Sequence, residues 1–327
     1  MPSLIPKTRA AALIAIALAV IALIAVLVVM LGGGKNLSLA RAIANYERTF
    51  DTYSQTDTTV TDVTNTQHAD GRQAHLISAF FGLDNGLPER LTDRVACEGA
   101  GGADGMPVIF SHEVDIATLE PGDFKITTQT GAVYPATCLT LAPADDPGEL
   151  RTALLAGEYG SAEDEPATVE IIGNVLSLDG MVNFKDARVD VTPLKSGPSL
   201  VWAEIVPETD WELGGEATTS PWGGGNRCPI GTAQIIRVTW NGGITKPGGD
   251  PADDDERALY QVSTVTTEGK VTEITPVALA DLKDGDNNHL LCLDTTDTVT
   301  SVFFPAGHVT DPREDLNLDT AIAFAQN

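Results

Sequence analysis

The chain has 327 residues, of which 43% are hydrophobic and only 6% aromatic, so its core must be packed mainly from Val, Ile, Leu and Ala. This length accommodates one large domain or two of ordinary size. A formal net charge of −26 argues against nucleic acid as a partner, because binding it requires clustered Lys and Arg. The acidity fits a solvated surface, a salty habitat or divalent cations.

The first element is an unbroken run of 22 apolar residues, Ala10–Leu31, preceded by Lys7 and Arg9. A helix of that length would measure about 33 Å, which matches the core of a bilayer. A cleavable signal peptide has the same charge pattern but an apolar core of only about 7–15 residues. The run therefore predicts a transmembrane signal anchor over residues 1–35, and cleavage near residues 38–40 is the alternative.

All 46 acidic residues follow residue 40, so the acidity belongs to the part of the chain outside the membrane. Long domains are exported largely regardless of the charges that flank the span. We expect a membrane-anchored, extracytoplasmic protein in the periplasm or at the cell surface, secreted if the N-terminal segment is cleaved. The membrane itself is thus one expected partner, through Ala10–Leu31.

Residues 36–94 are interpreted as a short helical stalk and a Thr-rich spacer. Apolar residues recur at spacings of 4, 3, 4 and 3, which places them on one face of a helix. They are Leu39, Ile43, Tyr46, Phe50 and Tyr53. The Thr-rich stretch 52–66 suits a strand or an extended spacer.

From residue 95 onward the chain alternates apolar and polar residues in short runs separated by Pro-Gly-Asp, Asn-Gly-Gly and Asp-Gly-Asp turns, which predicts a mainly β body. The predicted strands are 106–111, 124–128, 133–141, 168–176, 187–192, 199–206, 233–240, 259–266, 270–275, 289–293 and 298–304. Strands at this spacing favour sandwiches over βαβ units. We expect two β-sandwich-like domains, 95–196 and 197–327, with acidic and Gly-rich loops in the second.

The four cysteines contain no C-x-x-C pair, so the sequence has neither a zinc knuckle nor a thioredoxin motif. They are Cys97, Cys138, Cys228 and Cys292. Three pairings are open, and with two domains local pairing predicts Cys97–Cys138 and Cys228–Cys292. In an oxidising compartment each bridge would contribute a few kcal/mol. Four buried thiols in a reducing cytosol are the alternative.

Residues 107–131 carry an ordered phrase: a strand ending in Phe110-Ser111, then Val114-Asp115, Thr118-Leu119, Asp123-Phe124, and Gly131 before another apolar strand. Together with VEIIGNVLSLDG at 169–180, it resembles bacterial Ig-like domains of the surface-layer and adhesin type, over about residues 95–195. The chain departs from that pattern in the acidic insert SAEDEP after Gly160. The resemblance implies an Ig-like first domain and a spacer, adhesion or cell-surface role without catalytic residues.

The stretch FSHEVDIATLEPGDF at 110–124 gathers His112 with four carboxylates. It lacks the second histidine of H-E-x-x-H, and alternation on a strand would separate His112 from Glu113 and Asp115. We interpret it as the turn-rich edge of a β-domain rather than a metal or catalytic cluster. The sequence also lacks G-x-S-x-G and P-loop motifs.

Calcium is the cofactor for which the sequence offers a local argument. Oxygen-bearing side chains surround a glycine turn at 281–288, DLKDGDNN, and calcium prefers six to eight oxygen ligands. The candidate ligands are Asp281, Asp284, Asp286, Asn288 and Asp294. The order does not match an EF-hand, and Asp, Asn and Gly are also ordinary turn residues, so an unliganded turn is the alternative.

Trp202 and Trp240 lie in strand-like runs and are expected in the core, whereas Trp211 and Trp222 lie in polar loops. Exposed aromatic rings can stack on sugars, so the loop pair is a candidate carbohydrate site, with loop anchoring as the alternative.

The sequence favours a structural, adhesion or binding protein without catalytic activity, whose partner is a cell-surface protein or a glycan. One alternative is a secreted or anchored hydrolase that acts on glycans through loops 207–257, since any acidic β-protein offers carboxylate pairs. The other alternative is a carbohydrate-binding module.

Overall fold

The structure, a computed structural model, describes residues 57–88, 100–214, 226–282 and 285–324. They belong to one compact unit, Thr49–Asn327. Within these ranges no helix has the length and apolar character needed to cross a bilayer. The predicted span Ala10–Leu31 and the predicted helical stalk lie outside the described residues.

The described chain is mainly β, as predicted. Its strands are β1 Leu76–Phe80, β2 Asp104–Phe110, β3 Phe124–Thr128, β4 Val133–Pro135, β5 Cys138–Thr140, β6 Thr152–Gly157, β7 Pro166–Ile171, β8 Arg188–Thr192, β9 Leu200–Ile205, β10 Gln234–Trp240, β11 Gln261–Val265, β12 Val271–Ile274, β13 Ala278–Ala280, β14 Asn288–Leu293, β15 Thr298–Phe304 and β16 Thr320–Ala323. Among the described residues, helix is confined to the single turn α1, Asp254–Arg257, and to the 3-10 turns Ile116–Thr118, Pro121–Asp123 and Glu208–Asp210.

The first half, up to β8, forms one eight-stranded sheet in the order β4-β3-β7-β8-β1-β2-β6-β5. Four strand spacings separate β3 from β2, which would be about 19 Å in a flat sheet. Yet the rings of Phe110 on β2 and Phe124 on β3 lie 6.3 Å apart, centre to centre. The sheet therefore folds over on itself, and its two layers share one hydrophobic core.

The second half forms two four-stranded sheets, β13-β14-β10-β9 and β12-β11-β15-β16. Trp240 of β10 and Phe304 of β15 meet edge to face, 5.3 Å between ring centres, so the two sheets face each other across a second core. The indole Nε1–H of Trp240 donates to the Tyr260 hydroxyl at 3.1 Å. That bond satisfies the polar atom of a fully buried ring.

The fold begins upstream of residue 95. Strand β1 lies within the segment interpreted as a spacer, and it pairs antiparallel with β2 and parallel with β8 near the middle of the first sheet. Before it, residues 57–66 belong to no strand. They are fixed to the sheet by side chains: Asn174 donates to Asp57 at 2.8 Å, and Asn183 donates to the carbonyl of Val63 at 3.0 Å.

The remaining differences from the predicted strands lie where alternation fails. The segment 133–141 divides into β4 and β5, which occupy opposite edges of the first sheet. The segment 168–176 leaves the sheet after Ile171. Strands β6, β13 and β16 were not predicted, because TALLAG and ALA read as unbroken apolar runs and TAIA is too short to show a period.

The predicted disulfide Cys228–Cys292 is present, and it links the loop before β10 to β14. Cys138 is also disulfide-bonded, and its predicted partner Cys97 lies outside the described residues. The alternative of free thiols is therefore wrong for Cys138, Cys228 and Cys292.

Candidate functional site

The residues predicted as calcium ligands lie around the loop before β14. Asp281, Asp286 and Asn288 are buried, whereas Asp294 is exposed and Asp284 lies outside the described residues. Asp286 accepts from the backbone N–H of Asn288 at 2.9 Å and from its side-chain amide at 2.7 Å. These bonds are those of an Asx-type turn, so the oxygens of Asp286 serve the loop itself. The side-chain oxygen of Asn288 accepts from the Thr239 hydroxyl of β10 at 2.7 Å.

Asp294 lies beyond the far end of β14. A six-residue strand spans about 20 Å, so Asp294 and Asp286 cannot ligate one ion. Asp281 instead meets two carboxylates of the first half, Asp146 and Glu149, which precede β6. One oxygen from each of the three lies within 4.8 Å of the others. Sequence reasoning singled out Asp281 but not the two residues that face it.

Glu149 is the most buried of these carboxylates, with 2% of its surface exposed. Burial raises its pKa well above the ordinary value, and the charge of Asp286 adds to the effect. A hydrogen bond with Asp281 and the charge of Arg237 act in the opposite direction. Two carboxyl groups share a hydrogen bond only when one of them carries a proton, and a cation bound between them would neutralise the pair in its place.

Arg237 of β10 crosses to the first half. Its Nη1 donates to the carbonyl of Gly148 at 2.9 Å and to Glu204 at 3.1 Å, and its Nε lies 3.4 Å from Glu149. A Cβ at position 148 would lie 2.5 Å from Arg237 Nη1, and Gly148 has a φ of +92°. Only glycine permits both the left-handed backbone and the close approach of the guanidinium.

Arg151, immediately before β6, completes the arrangement from the other side. Its Nη2 donates to Glu204 at 3.1 Å, and its guanidinium carbon lies 4.9 Å from the centre of the Trp202 ring. Trp202 is half-buried, so the prediction that it packs in the core is wrong, whereas Trp240 is in the core as predicted. Trp202 instead stacks on a cation at the junction of the two halves.

Charges of both signs therefore alternate across this surface. We call Glu149, Arg151, Glu204 and Arg237 the charged junction; its two arginines are less than a tenth exposed. The sequence contained one signal for it: Arg237 is the sole charge in an otherwise apolar strand, QIIRVTW, whose last six residues are buried. A buried cation needs a nearby anion, and pattern alone does not show which of many carboxylates supplies it.

Polar and apolar contacts continue the junction. The Asn287 side chain donates to the carbonyl of Trp240 at 2.7 Å and to the Thr152 hydroxyl at 3.3 Å. Phe80 of β1 packs on Gly242, where an added Cβ would lie 2.8 Å from the ring. The two halves therefore meet through specific hydrogen bonds as well as through apolar packing.

A cavity of about 250 Å³ lies on the second-half side of this region. Its wall includes Asp281, Asp286 and His289, with Gly249 and Pro251 of the acidic loop. Ligand pockets usually enclose about 300–1,000 Å³. Burial lowers the pKa of His289 to about 4, and its Nδ1 is hydrogen-bonded to the Tyr260 hydroxyl at 2.9 Å. His289 is therefore neutral at neutral pH, and its hydrogen bond with Tyr260 gives it a structural role.

Trp211 is the described member of the loop pair predicted to bind sugars. It is half-buried, its Nε1–H donates to the carbonyl of Val206 at 2.9 Å, and its ring packs on the cluster that contains the Cys228–Cys292 bridge. These contacts match the loop-anchor interpretation. Trp222 lies outside the described residues.

In the stretch 110–124, Asp115 and Asp123 serve their own turns, whereas Glu113 and Glu120 bond to distant segments, Glu120 accepting from the Thr58 N–H at 2.6 Å. Asp115 accepts from the backbone of Ala117 at 2.8 Å, and Asp123 accepts from that of Glu120 at 2.9 Å. Glu113 accepts from the Leu150 N–H at 3.3 Å. His112 lies elsewhere, against the hairpin that precedes β1.

No protein-family model and no curated protein matches the chain. Among solved structures, it is similar to the N-terminal part of the bacterial S-layer protein SbsC, at 14% identity and a TM-score of 0.26, over 79% of this chain and 45% of that one. The S-layer protein rSbsC(31-844) is 13% identical with a TM-score of 0.27, and the match covers 73% of this chain and 42% of that one. Domains 1–6 of SbsC are 10% identical with a TM-score of 0.26, and the match covers 78% of this chain and 40% of that one. The chain spans less than half the length of these structures, and such values place it in no family.

Proposed function

We propose that this protein is a structural or adhesion protein displayed outside the cytoplasm and held at the membrane through Ala10–Leu31. In this proposal its two halves are β-sandwich-like domains, the first of them Ig-like, and its partner is a cell-surface protein or a glycan. The charged junction is the observation that carries the proposal, because it fixes the two halves in one orientation.

A spacer or adhesion module must hold its ends at a defined distance. An apolar interface alone tolerates sliding, since hydrophobic attraction has no direction. Buried charges and hydrogen bonds tolerate little sliding, because a shift of one half against the other leaves each charged or polar group unpaired in a medium of low polarity. Arg237 is held from three sides by Gly148, Glu149 and Glu204. This arrangement suits a rigid two-part rod.

The hydrolase alternative finds less support in the described residues. A glycosidase needs two carboxylates converging on an accessible cleft. The carboxylates near loops 207–257 line a small cavity, and the carboxylate of Asp286 accepts a hydrogen bond from Asn288. Trp211, a candidate for sugar stacking, is anchored to Val206.

The proposed calcium site consists of Asp146, Glu149 and Asp281 rather than the five ligands that the sequence predicted around residues 281–294. Three carboxylates within ligand distance of one another provide the hard oxygen donors that calcium prefers, and a bound cation would offset the burial of Glu149. After chelation, millimolar calcium is expected to raise the melting temperature of the wild type and to have no such effect on Glu149→Gln. An equal rise in both would remove calcium from the proposal.

Membrane fractionation of the native protein with N-terminal sequencing tests the proposed location. The expected result is a membrane-bound chain that retains residues 1–35 and is degraded by protease added outside the cell. A chain that is protected until the cells are lysed would contradict it.

A further inference from the structure

A second group of potential ligands lies on the first half, away from the charged junction. His68 and Asp70 belong to a tight hairpin closed by a bridge between Gln67 and Gln73. His112 follows the end of β2 directly beneath it, and the two imidazole rings are 5.1 Å apart, centre to centre. One imidazole nitrogen of each histidine and one carboxylate oxygen of Asp70 lie within 4.8 Å of one another.

The contacts around Ser111 favour one tautomer of His112. The Ser111 hydroxyl accepts from the N–H of His75 at 3.0 Å and lies 3.2 Å from the carbonyl of Gln73, which can only accept. The hydroxyl has one hydrogen, and all three contacts are satisfied together when it donates that hydrogen to Gln73 and His112 Nδ1 donates to it at 3.0 Å. In this tautomer Nε2 carries the lone pair.

That lone pair has no hydrogen-bond partner among the described residues, and His112 is only 6% exposed. A buried acceptor without a partner is costly, and buried histidines usually avoid this. The rings of His68 and Phe184 lie 5.1 Å and 6.1 Å from that of His112, centre to centre. A neutral imidazole with a free lone pair is the form that binds transition metals.

His68 is oriented as metal-ligating histidines are. Its Nε2 is held by Asp179 at 2.6 Å, which leaves Nδ1 directed at Asp70 Oδ1, 3.1 Å away. Ligands that bind zinc tetrahedrally at about 2.0–2.1 Å are separated from each other by about 3.4 Å. The observed separation is close to that value, and a carboxylate on the outer nitrogen is the usual support of such a ligand.

We propose that His68, Asp70 and His112 form a binding site for a divalent transition metal of the zinc type, with Asp179 as the positioning residue of His68. Two nitrogens and one carboxylate oxygen are donors that suit zinc, whereas calcium and magnesium prefer oxygen alone. Arg72 is the neighbouring positive charge: its Nε donates to the other oxygen of Asp70 at 2.6 Å, and its uncharged backbone N–H donates to Oδ1 at 2.9 Å. Binding would fasten the segment that precedes β1 to the end of β2.

Zinc titration of the chelated, untagged full chain tests the proposal by calorimetry, with cobalt as a spectroscopic probe. One ion per chain is expected, together with the visible absorption bands of four-coordinate cobalt and a higher melting temperature in the presence of zinc. His68→Gln and His112→Ala are each expected to lose at least tenfold in affinity. Asp179→Asn should lose about 10–100-fold, as changes to supporting carboxylates do.

The exposed histidines His75 and His308 provide matched controls, and His75→Ala and His308→Ala should bind zinc as the wild type does. Because His112 is buried, the melting temperature of every variant is also measured without metal, and His68→Gln gives an answer even if His112→Ala does not fold. Absence of one-to-one binding would overturn the proposal. So would binding that survives in His68→Gln, since the ion would then lie elsewhere on the acidic surface.

Discussion

Asp123 illustrates how one buried carboxyl group constrains its neighbours. It is fully buried, and its Oδ1 lies so close to Gly173 that an added Cβ there would be 1.7 Å away. Burial raises the pKa of Asp123 to about 7, and the negative charges of Asp57 and Glu120 act in the same direction while Lys185 opposes them. The group is therefore neutral in the folded protein at mildly acidic pH.

This pKa predicts how stability changes with pH. The folded state keeps a proton on Asp123 that the unfolded state releases above a pKa of about 3.8, so the contribution is full below that pH and is lost as pH rises through about 7. At about 1.4 kcal/mol per pKa unit, the loss is on the order of 4 kcal/mol. Chemical denaturation between pH 4 and 8 measures it.

Asp123→Asn is the matched variant, because it keeps the shape and the acceptor for the Glu120 N–H but cannot ionise. Its stability relative to the wild type should rise steadily across the same pH range. A constant difference between the two proteins would show that Asp123 does not titrate in this window.

At the scale of elements, β1 shows that the fold needs residues upstream of 95. A chain beginning at residue 57 keeps β1 and the preceding segment bonded to Asn174 and Asn183, and we expect it to fold. A chain beginning at residue 95 lacks the strand that joins β2 to β8 and should lose the first sheet. Circular dichroism and amide hydrogen exchange measure the strand content and the backbone protection of the two chains. Equal protection of the first-sheet amides in both would contradict the assignment of β1 as a central strand.

The Cys228–Cys292 bridge closes a loop with a sequence separation of 64. Loop-closure entropy assigns such a bridge about 4 kcal/mol. The double variant Cys228→Ser/Cys292→Ser is therefore expected to unfold at clearly lower denaturant concentration than the wild type. Reduction of the wild type also opens the bridge at Cys138, so it should lower the stability at least as far. A variant as stable as the oxidised protein would show that the Cys228–Cys292 bridge contributes little.

How well each element could be predicted follows from its surroundings. Strand β3, FKITT, has one buried and one wetter face, and its predicted and observed bounds are the same. Strand β6, TALLAG, is buried on both faces and therefore shows no period. Strand β1, LISAF, also shows no apolar–polar period and follows a Thr-rich stretch, so its sequence is interpreted as part of the spacer.

At the scale of the molecule, the charged junction decides whether the halves behave as one body. Arg237→Met removes the cation and leaves Glu149 buried beside other carboxylates, a change that costs about 3–5 kcal/mol in comparable sites. We expect the wild type to melt in one transition and Arg237→Met to melt at lower temperature with the two halves separated. Scanning calorimetry distinguishes these outcomes.

Lys125→Met is the matched control, since it removes a cation from the partly exposed pair with Glu170, whose atoms are 2.8 Å apart. Such a pair contributes about 0–1 kcal/mol, so the melting curve should barely change. If both variants behaved alike, the junction would have no special role in joining the halves.

The sequence by itself determined what depends on local pattern: a mainly β body, the strands that have one wet face, the Cys228–Cys292 pairing between nearby segments, and the long apolar run near the N-terminus. Only the tertiary structure decided which charges meet. Arg237 faces Glu149 across 88 residues of chain, and His112 faces His68 across 44 residues. The physical reason is that side-chain period reports the environment of a strand face, whereas pairing between distant polar groups depends on how the sheets fold and pack, which no local pattern records.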